Sequence, residues 1–228
     1  MNQGYTVSQA VNDVLRKVYG WMGVALGVTA AVSYYVGSNP AFYKMLYKMP
    51  GLPFILLLIQ LGLVIFLSAG IRRMSFGTAI SSFFLYSGLV GISLSSIFIA
   101  YTLGSIFSAF AVTAGMFTFM AVYGTIMKAD LSSMGSYLFM ALIGLIITGI
   151  VNFFLQSPAL YLLYSAAGVL IFTLLTAYDA QKIKALASNL IGSGEDTSKI
   201  AVLGALTLYL DFLNLFLYIL RFMGNRKD

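Results

Sequence analysis

The chain has 228 residues, of which 60% are hydrophobic and only 9% are charged, and its mean hydropathy is +0.94. Because a soluble domain carries about 25% charged residues, this composition excludes a soluble fold and predicts an integral membrane protein. Cysteine and histidine are both absent, which excludes a disulfide framework, thiolate chemistry and a Ser-His-Asp triad. The net charge of +6 is attributed to positive residues that set the membrane topology and contact anionic lipids, rather than to nucleic-acid binding.

Seven apolar runs follow one another along the chain, each close to the ~20 residues that cross a bilayer as a helix. The predicted fold is therefore all-α, with seven transmembrane helices in a single domain that covers residues 1–228. The predicted spans are approximately Val18–Val36, Leu52–Ile71, Thr78–Tyr101, Leu103–Met127, Met134–Leu155, Ala159–Asp179 and Ile200–Leu220.

The positive residues predict the orientation, because cytoplasmic loops carry an excess of Lys and Arg. A cytoplasmic N-terminus puts the following residues inside: Arg16, Lys17, Arg72, Arg73, Lys128, Lys182, Lys184 and Lys199. The same orientation puts these residues outside: Lys44, Lys48, Arg221, Arg226 and Lys227. The last three favour a re-entrant final helix instead, but the length of that helix favours a full span. We expect a multipass protein of the cell (inner) membrane.

The last apolar run carries an unusual set of polar residues at helical spacing. Their steps of four, three, four and three place them on one face of a helix. They are Thr207, Asp211, Asn214, Tyr218 and Arg221. A carboxylate near the bilayer centre costs about 3 kcal/mol, so it normally faces protein or water. This helix is therefore predicted to lie at the centre of the bundle, surrounded by the other six.

Two of the seven carboxylates are candidates for chemistry, whereas the others lie in loops or termini. Asp179 ends the sixth run and Asp211 lies within the seventh. The spacing leaves open whether they meet, because Asp179 is only three residues from Lys182 whereas Asp211 lies about 18 Å along its helix from Lys199. The structural alternative for Asp211 is a buried polar residue that bonds a neighbouring helix.

A meeting of the two carboxylates would create a proton and cation site. At about 4 Å and an effective dielectric of 20, two carboxylates repel by about 4 kcal/mol, so the pair would share one proton and titrate as a unit. Loss of that proton would leave a charge of −2, which suits a hard cation such as calcium with oxygen ligands. Arg72 or Arg73 could donate to Asp179 as a latch, or both could be positive-inside anchors.

Three stretches together resemble the Bax inhibitor-1 (TMBIM, or lifeguard) family. The last helix carries Leu208-Tyr-Leu-Asp211-Phe-Leu-Asn214-Leu-Phe followed by Leu220-Arg221-Phe, which resembles that family's last-helix signature. Tyr178-Asp179-Ala-Gln181-Lys-Ile183 is similar to its sixth-helix Asp motif, and Leu15-Arg-Lys-Val-Tyr-Gly-Trp21 to the start of its first helix in bacterial members. The resemblance implies six helices around a central seventh. It also implies a pH-sensing Asp179–Asp211 pair that gates a calcium leak, and an Arg latch from the second helix. In some relatives the position of Gln60 holds a Glu that could pair with the Arg of the last helix. Arg221 lacks that partner in this chain.

These observations predict a pH-sensitive calcium leak channel that is gated by the paired aspartates, with calcium as the transported ion and no cofactor. Its expected partners are the lipid bilayer, calcium and protons. The alternative is an interaction protein that modulates a membrane protease or stress survival through a membrane-protein partner. An intramembrane aspartyl protease is disfavoured because neither aspartate has the expected Gly-x-Gly-Asp setting, so the chain is not expected to be an enzyme.

Overall fold

The structure is a computed structural model that describes residues 7–71, 73–190 and 197–227. Helices account for most of this part of the chain. Their bounds are α1 Val7–Gly37, α2 Pro40–Tyr47, α3 Leu52–Gly70, α4 Phe76–Leu94, α5 Ile97–Ala100, α6 Leu103–Ile126, α7 Met134–Leu155, α8 Pro158–Leu190 and α9 Thr197–Met223. The predicted all-α class is confirmed.

Six helical segments of the described chain are long and apolar enough to cross a membrane. They are α3, α4 with α5, α6, α7, α8 and α9, and they correspond to the predicted second to seventh spans. The first predicted span lies inside α1, which has 31 residues and is therefore about 46 Å long. Because α1 is less apolar than those six segments, its crossing of the membrane stays a prediction, and so does the single domain.

Helix α9 is by far the most buried of the six segments. In its apolar window 72% is buried, whereas the corresponding values for the other five range from 17 to 33%. A large buried fraction is expected for a membrane helix that faces protein instead of lipid on nearly every side. The burial of α9 therefore agrees with its predicted central position. Residues 197–223 form one unbroken helix of 27 residues, which is about 40 Å long. This length favours the full span over the re-entrant alternative.

Helix bounds differ from the prediction at two places. The connection at 38–50, between the first two predicted spans, contains the additional helix α2. This helix begins with Pro40 after Asn39, whose side chain accepts a hydrogen bond from the Phe42 N–H at 3.1 Å. Helix α8 continues eleven residues beyond Asp179, to Leu190, and so includes Lys182 and Lys184. The predicted loop carboxylates Glu195 and Asp196 lie outside the described residues.

Contacts group the chain into two compact units. The first comprises the described residues of Met1–Thr102, Leu186–Tyr209 and Arg226–Asp228, and the second comprises Leu103–Ala185 and Leu210–Asn225. In the first unit α1 packs closely on α4, where Gly91 lies so near Thr29 and Val32 that a Cβ there would be 2.8 Å from the Thr29 carbonyl oxygen. The second unit contains both Asp179 and Asp211.

Candidate functional site

The parts of α8 and α9 that belong to the second unit run antiparallel and meet through aromatic rings. The Phe172 ring stacks on the Tyr218 ring with centroids 5.7 Å apart. Asp179 lies seven residues after Phe172, and Asp211 lies seven residues before Tyr218. Two helical turns therefore separate each aspartate from this contact, and a seven-residue step returns a side chain to nearly the same helix face. The register set by the two rings brings Asp179 and Asp211 to the same level.

Glycines on the neighbouring surfaces let the helices approach closely. A Cβ at Gly168 would overlap the Tyr218 ring, so the absence of a side chain leaves room for that ring against α8. On α6, a Cβ at Gly124 would overlap the backbone of Ala177, two residues before Asp179. The segment of α8 that carries Asp179 thus lies against α6 at the level of the backbone, and α9 approaches α8 closely about three turns earlier, at Gly168.

The carboxyl groups of Asp179 and Asp211 come close enough to interact with each other. The sequence left this contact open, and the structure brings the two side chains together. Asp211 is only 5% exposed, and its Oδ2 atom is buried without a hydrogen-bond partner among the described residues. Asp179 is half-buried. Because an ionised carboxylate can only accept a hydrogen bond, a bond between two carboxyl groups requires that one of them carries a proton.

The charged group that acts on Asp179 from its own helix is Lys182, whose ammonium is electrostatically attractive to the carboxylate. Lys182 lies one turn after Asp179 and its Nζ is 5.6 Å from the centroid of the Tyr178 ring. Lys184 instead donates from Nζ to the Thr125 carbonyl oxygen at the end of α6, at 2.6 Å. Both lysines are exposed on a helix that continues to Leu190. The helix therefore ends later than Asp179, where the sixth run was predicted to end.

The polar face of α9 is largely satisfied within its own helix. Thr207 donates from Oγ1 to the Leu203 carbonyl oxygen at 3.1 Å, and Asn214 donates from Nδ2 to the Leu210 carbonyl oxygen at 2.8 Å. Such bonds to the carbonyl one turn back are usual for short polar side chains in helices. Both residues are half-buried. Asp211 differs from these two residues because its carboxyl group meets that of Asp179 on α8.

At the far end of α9, Arg221 has aromatic partners. Its Nη1 atom donates to the Tyr164 hydroxyl at 2.9 Å, and its guanidinium carbon lies 5.3 Å from the centroid of the Tyr218 ring. A guanidinium over an aromatic face is attracted by the ring quadrupole. Arg221 therefore fixes the end of α9 to the start of α8 without a carboxylate.

Sequence reasoning missed one fully buried polar contact in the first unit. Tyr209 lies off the polar face of α9, yet its side chain is 0% exposed. Its hydroxyl is 2.6 Å from the Thr29 Oγ1 atom. Thr29 donates its own proton to the Ser87 carbonyl oxygen at 2.9 Å, so Tyr209 is the donor in the shared bond. A lone tyrosine in an apolar helix carries no spacing signal that would have revealed this contact.

Comparison with known families gives a match over almost the whole chain. A family model described as "Inhibitor of apoptosis-promoting Bax1" matches residues 11–228. The chain belongs to the Bax inhibitor-1 family. The resemblance seen in the sequence is thereby confirmed.

Curated members of the Bax inhibitor-1 family match along nearly their full length. The chain is 49% identical over 216 residues to "Inner membrane protein YbhL" of Escherichia coli strain K12, covering 93% of this chain and 92% of the relative. It is 44% identical over 217 residues to an uncharacterised protein of Borreliella burgdorferi, covering 95% and 94%. It is 39% identical over 223 residues to the uncharacterised protein RP147 of Rickettsia prowazekii, covering 98% and 94%.

The latch implied by the resemblance to the Bax inhibitor-1 family stays a prediction. Arg72 lies outside the described residues, and Arg73 is exposed in the turn that follows α3, where its N–H bonds the Gly70 carbonyl oxygen at 2.9 Å. Gln60, where some family members carry Glu, uses Nε2 to donate to the Leu89 carbonyl oxygen at 3.1 Å and to the Ser93 hydroxyl at 2.6 Å. Gln60 therefore serves the packing of α3 on α4.

Proposed function

We propose that this Bax inhibitor-1 family member is a pH-sensitive calcium leak channel, gated by a proton shared between Asp179 and Asp211. The observation that carries the proposal is the pairing of the two carboxyl groups, which belong to Asp179 and to Asp211, a residue only 5% exposed. An ionisable residue in a membrane helix is a functional candidate by default, since its burial is costly.

In the closed state the shared proton holds α8 and α9 together at this level. Loss of the proton turns an attractive hydrogen bond into a repulsion between two carboxylates, about 4 kcal/mol at 4 Å and an effective dielectric of 20. A difference of this size is enough to shift a two-state equilibrium about a thousandfold. A rise in pH therefore favours the open arrangement.

Calcium suits the deprotonated site because it is a hard cation that prefers oxygen ligands. The buried Asp211 Oδ2 atom would offer an acceptor for such an ion once the shared proton is lost. In the described part of the chain no group of three or more acidic, histidine or cysteine side chains could hold a metal. Carbonyl oxygens and water would complete the coordination, which favours passage over tight retention.

The location follows from the relative and from the distribution of charge. The Escherichia coli relative is named an inner membrane protein, and we assign this multipass chain to the same membrane. The excess of Lys and Arg in alternate loops supports a cytoplasmic N-terminus. With that orientation the connection between α8 and α9 is cytoplasmic.

Calcium flux into liposomes across a pH series tests the proposal. We expect flux to rise with pH in the parent protein and to lose that dependence in Asp211→Asn, because an amide can donate to Asp179 at every pH. Asp130→Asn is the matched control, since Asp130 is an exposed carboxylate on the loop before α7, and its pH profile should follow the parent.

Flux that is equal at acid and neutral pH in the parent would contradict the gate, and so would a pH dependence that survives in Asp211→Asn. If folded parent protein carries no calcium, the alternative interaction role is favoured. In that case purification with bound membrane proteins, compared between the parent and Asp211→Asn, becomes the decisive measurement.

A further inference from the structure

A cavity of about 440 Å³ lies in the second unit beside the connection between α6 and α7. It is lined by the following polar residues: Lys128, Asp130, Ser132, Tyr178, Gln181 and Lys182. Helix α6 ends at Ile126 and α7 begins at Met134, and both are apolar enough to cross the membrane. The cavity is therefore at the level where lipid headgroups meet the protein.

Hydrogen bonds from α8 hold the wall of this cavity in place. The Gln181 side chain accepts from the Leu131 N–H at 2.8 Å through Oε1 and donates from Nε2 to the Ala129 carbonyl oxygen at 2.9 Å. The Tyr178 hydroxyl lies over Gly135, where a Cβ would be 2.5 Å away. The connection is thus tied to α8 at both ends, and the cavity is preformed.

The charge of the cavity favours an anion. Lys128 and Lys182 are both exposed, and among the described residues neither forms an ion pair, since the one pair found there is Arg16 with Asp13. The opposing carboxylate of Asp130 already accepts from the Ser132 N–H at 2.8 Å. Hydrogen bonds from the Ser132 hydroxyl and N–H lower the pKa of Asp130, so the net lining charge at neutral pH is about +1.

Neighbouring groups add donors to this positive charge. The N-terminus of the 22-residue helix α7 directs the positive end of its dipole toward the connection. Hydroxyl groups of Ser132 and Tyr178 also line the cavity. Two ammonium groups and two hydroxyls match a tetrahedral anion, which presents several strong acceptor oxygens at once.

We propose that this cavity binds a phosphate group, with Lys128 and Lys182 as its charged contacts. The phosphate can come from the headgroup of an anionic lipid or from a soluble phosphate. The site does not depend on calcium conduction, and its test measures binding without any channel activity.

Native mass spectrometry of the full chain in a neutral detergent tests the proposal, with phosphatidylglycerol, phosphatidylcholine and inorganic phosphate as the probes. We expect phosphatidylglycerol to bind the parent and the double variant Lys128→Gln/Lys182→Gln to bind it about 25-fold more weakly, since each lysine near an anionic headgroup contributes a factor of about five. Binding to phosphatidylcholine should be weak in both proteins.

Two variants separate the site from total charge and from folding. Lys184→Gln removes a lysine of the same helix that does not line the cavity, and it should bind like the parent. Lys128→Arg/Lys182→Arg keeps both charges and should restore binding. If inorganic phosphate binds saturably and competes with the lipid, the site recognises the phosphate group itself. If the lipid binds but inorganic phosphate does not, the site recognises a lipid headgroup. Equal lipid binding by the parent and the Gln double variant, or equal losses in that variant and Lys184→Gln, overturns the proposal.

Discussion

At the scale of single residues, the two aspartates and Tyr209 show two ways in which a membrane protein buries a polar group. Asp211 is matched by Asp179, and the bond between them exists only while a proton is present. Tyr209 is matched by Thr29, and both hydroxyls keep their protons across the physiological pH range. The first arrangement can respond to pH and the second does not, which is why the proposed gate involves the aspartates, whereas Tyr209 is expected to contribute structural stability.

Replacing Tyr209 by Phe should destabilise the protein by about 1 kcal/mol, because the variant keeps the ring but loses one buried hydrogen bond. The ring itself packs edge-on against Phe83 and Tyr86, with centroids 5.5 and 5.9 Å away, so its packing should persist. Unfolding of the purified protein in mixed micelles, titrated with denaturing detergent, measures the change.

The matched control for this change is Tyr137→Phe, because Tyr137 is 68% exposed and should lose almost nothing. Equal unfolding midpoints for Tyr209→Phe and Tyr137→Phe would show that the Thr29 bond contributes no net stability. Calcium flux should keep its pH dependence in both variants, since neither touches the aspartate pair.

At the scale of helices, the sequence predicted which segments are helical more accurately than it predicted where those helices end. The apolar runs predicted all six of the segments that can cross a membrane, and the polar face predicted from the spacing along α9 includes Asp211, which interacts with Asp179. The helix ends were harder to predict. Lys182 and Lys184 indicated the end of a membrane span, but α8 continues through both residues because their long side chains can extend along the surface. With α8 ended at Asp179, the two aspartates could not be placed at one level, so their contact could not be derived.

A second limit was the packing register, which depends on atoms that sequence spacing does not reveal. The contact of Phe172 with Tyr218 fixes α8 against α9, and it requires Gly168 beneath the Tyr218 ring. Glycine is common in membrane helices, so no pattern in the chain singles out Gly168 or Gly124. Their role is visible only when the neighbouring helix is in place.

Substitution of Gly124 by Ala should destabilise the protein by about 3 kcal/mol, the upper end of what overpacking costs. The added methyl group would overlap the backbone of Ala177, and a backbone cannot move aside as a flexible side chain can. Thermal unfolding in detergent provides the measurement.

Gly115→Ala in the same helix is the control, because nothing lies within 4 Å of its added Cβ. This variant should be about as stable as the parent or up to about 1 kcal/mol more stable, since Ala favours helix over Gly. If both glycine variants unfold at the same temperature, the close approach of α6 and α8 is not a source of stability. Because Ala177 is two residues from Asp179, we also expect Gly124→Ala to alter the pH profile of flux.

At the scale of the whole chain, the composition alone established the solvent in which the protein folds. A chain with 9% charged residues leaves no choice but a bilayer, and backbone hydrogen bonding in hydrocarbon then requires helices or a closed barrel. The helical class therefore followed from physics, but the sides of the membrane did not, because they depend on small differences in loop charge. With the predicted cytoplasmic N-terminus and seven spans, the C-terminal residues Arg221, Arg226 and Lys227 lie on the side opposite to most of the positive residues.

The orientation can be measured directly because the chain has no cysteine, so an introduced cysteine is its only thiol. With seven spans and a cytoplasmic N-terminus, Lys44→Cys in α2 and Lys227→Cys near the C-terminus should react with a membrane-impermeant maleimide in intact spheroplasts. Ser132→Cys, in the connection between α6 and α7, should react only after the membrane is permeabilised. All three positions are exposed, so a difference in labelling reports the side of the membrane.

Labelling of Lys227→Cys decides between a full span and a re-entrant last helix. The structure ties the C-terminal segment to the start of α6, where the Asn225 N–H donates to the Ser105 hydroxyl at 2.9 Å, and α6 ends beside Lys184 on α8. A full span therefore puts residues 225 and 132 at opposite ends of α6. If Lys227→Cys and Ser132→Cys were protected together in intact spheroplasts, α6 could not cross the membrane with this contact in place. That result would overturn the seven-span topology and the cytoplasmic assignment of the α8–α9 connection.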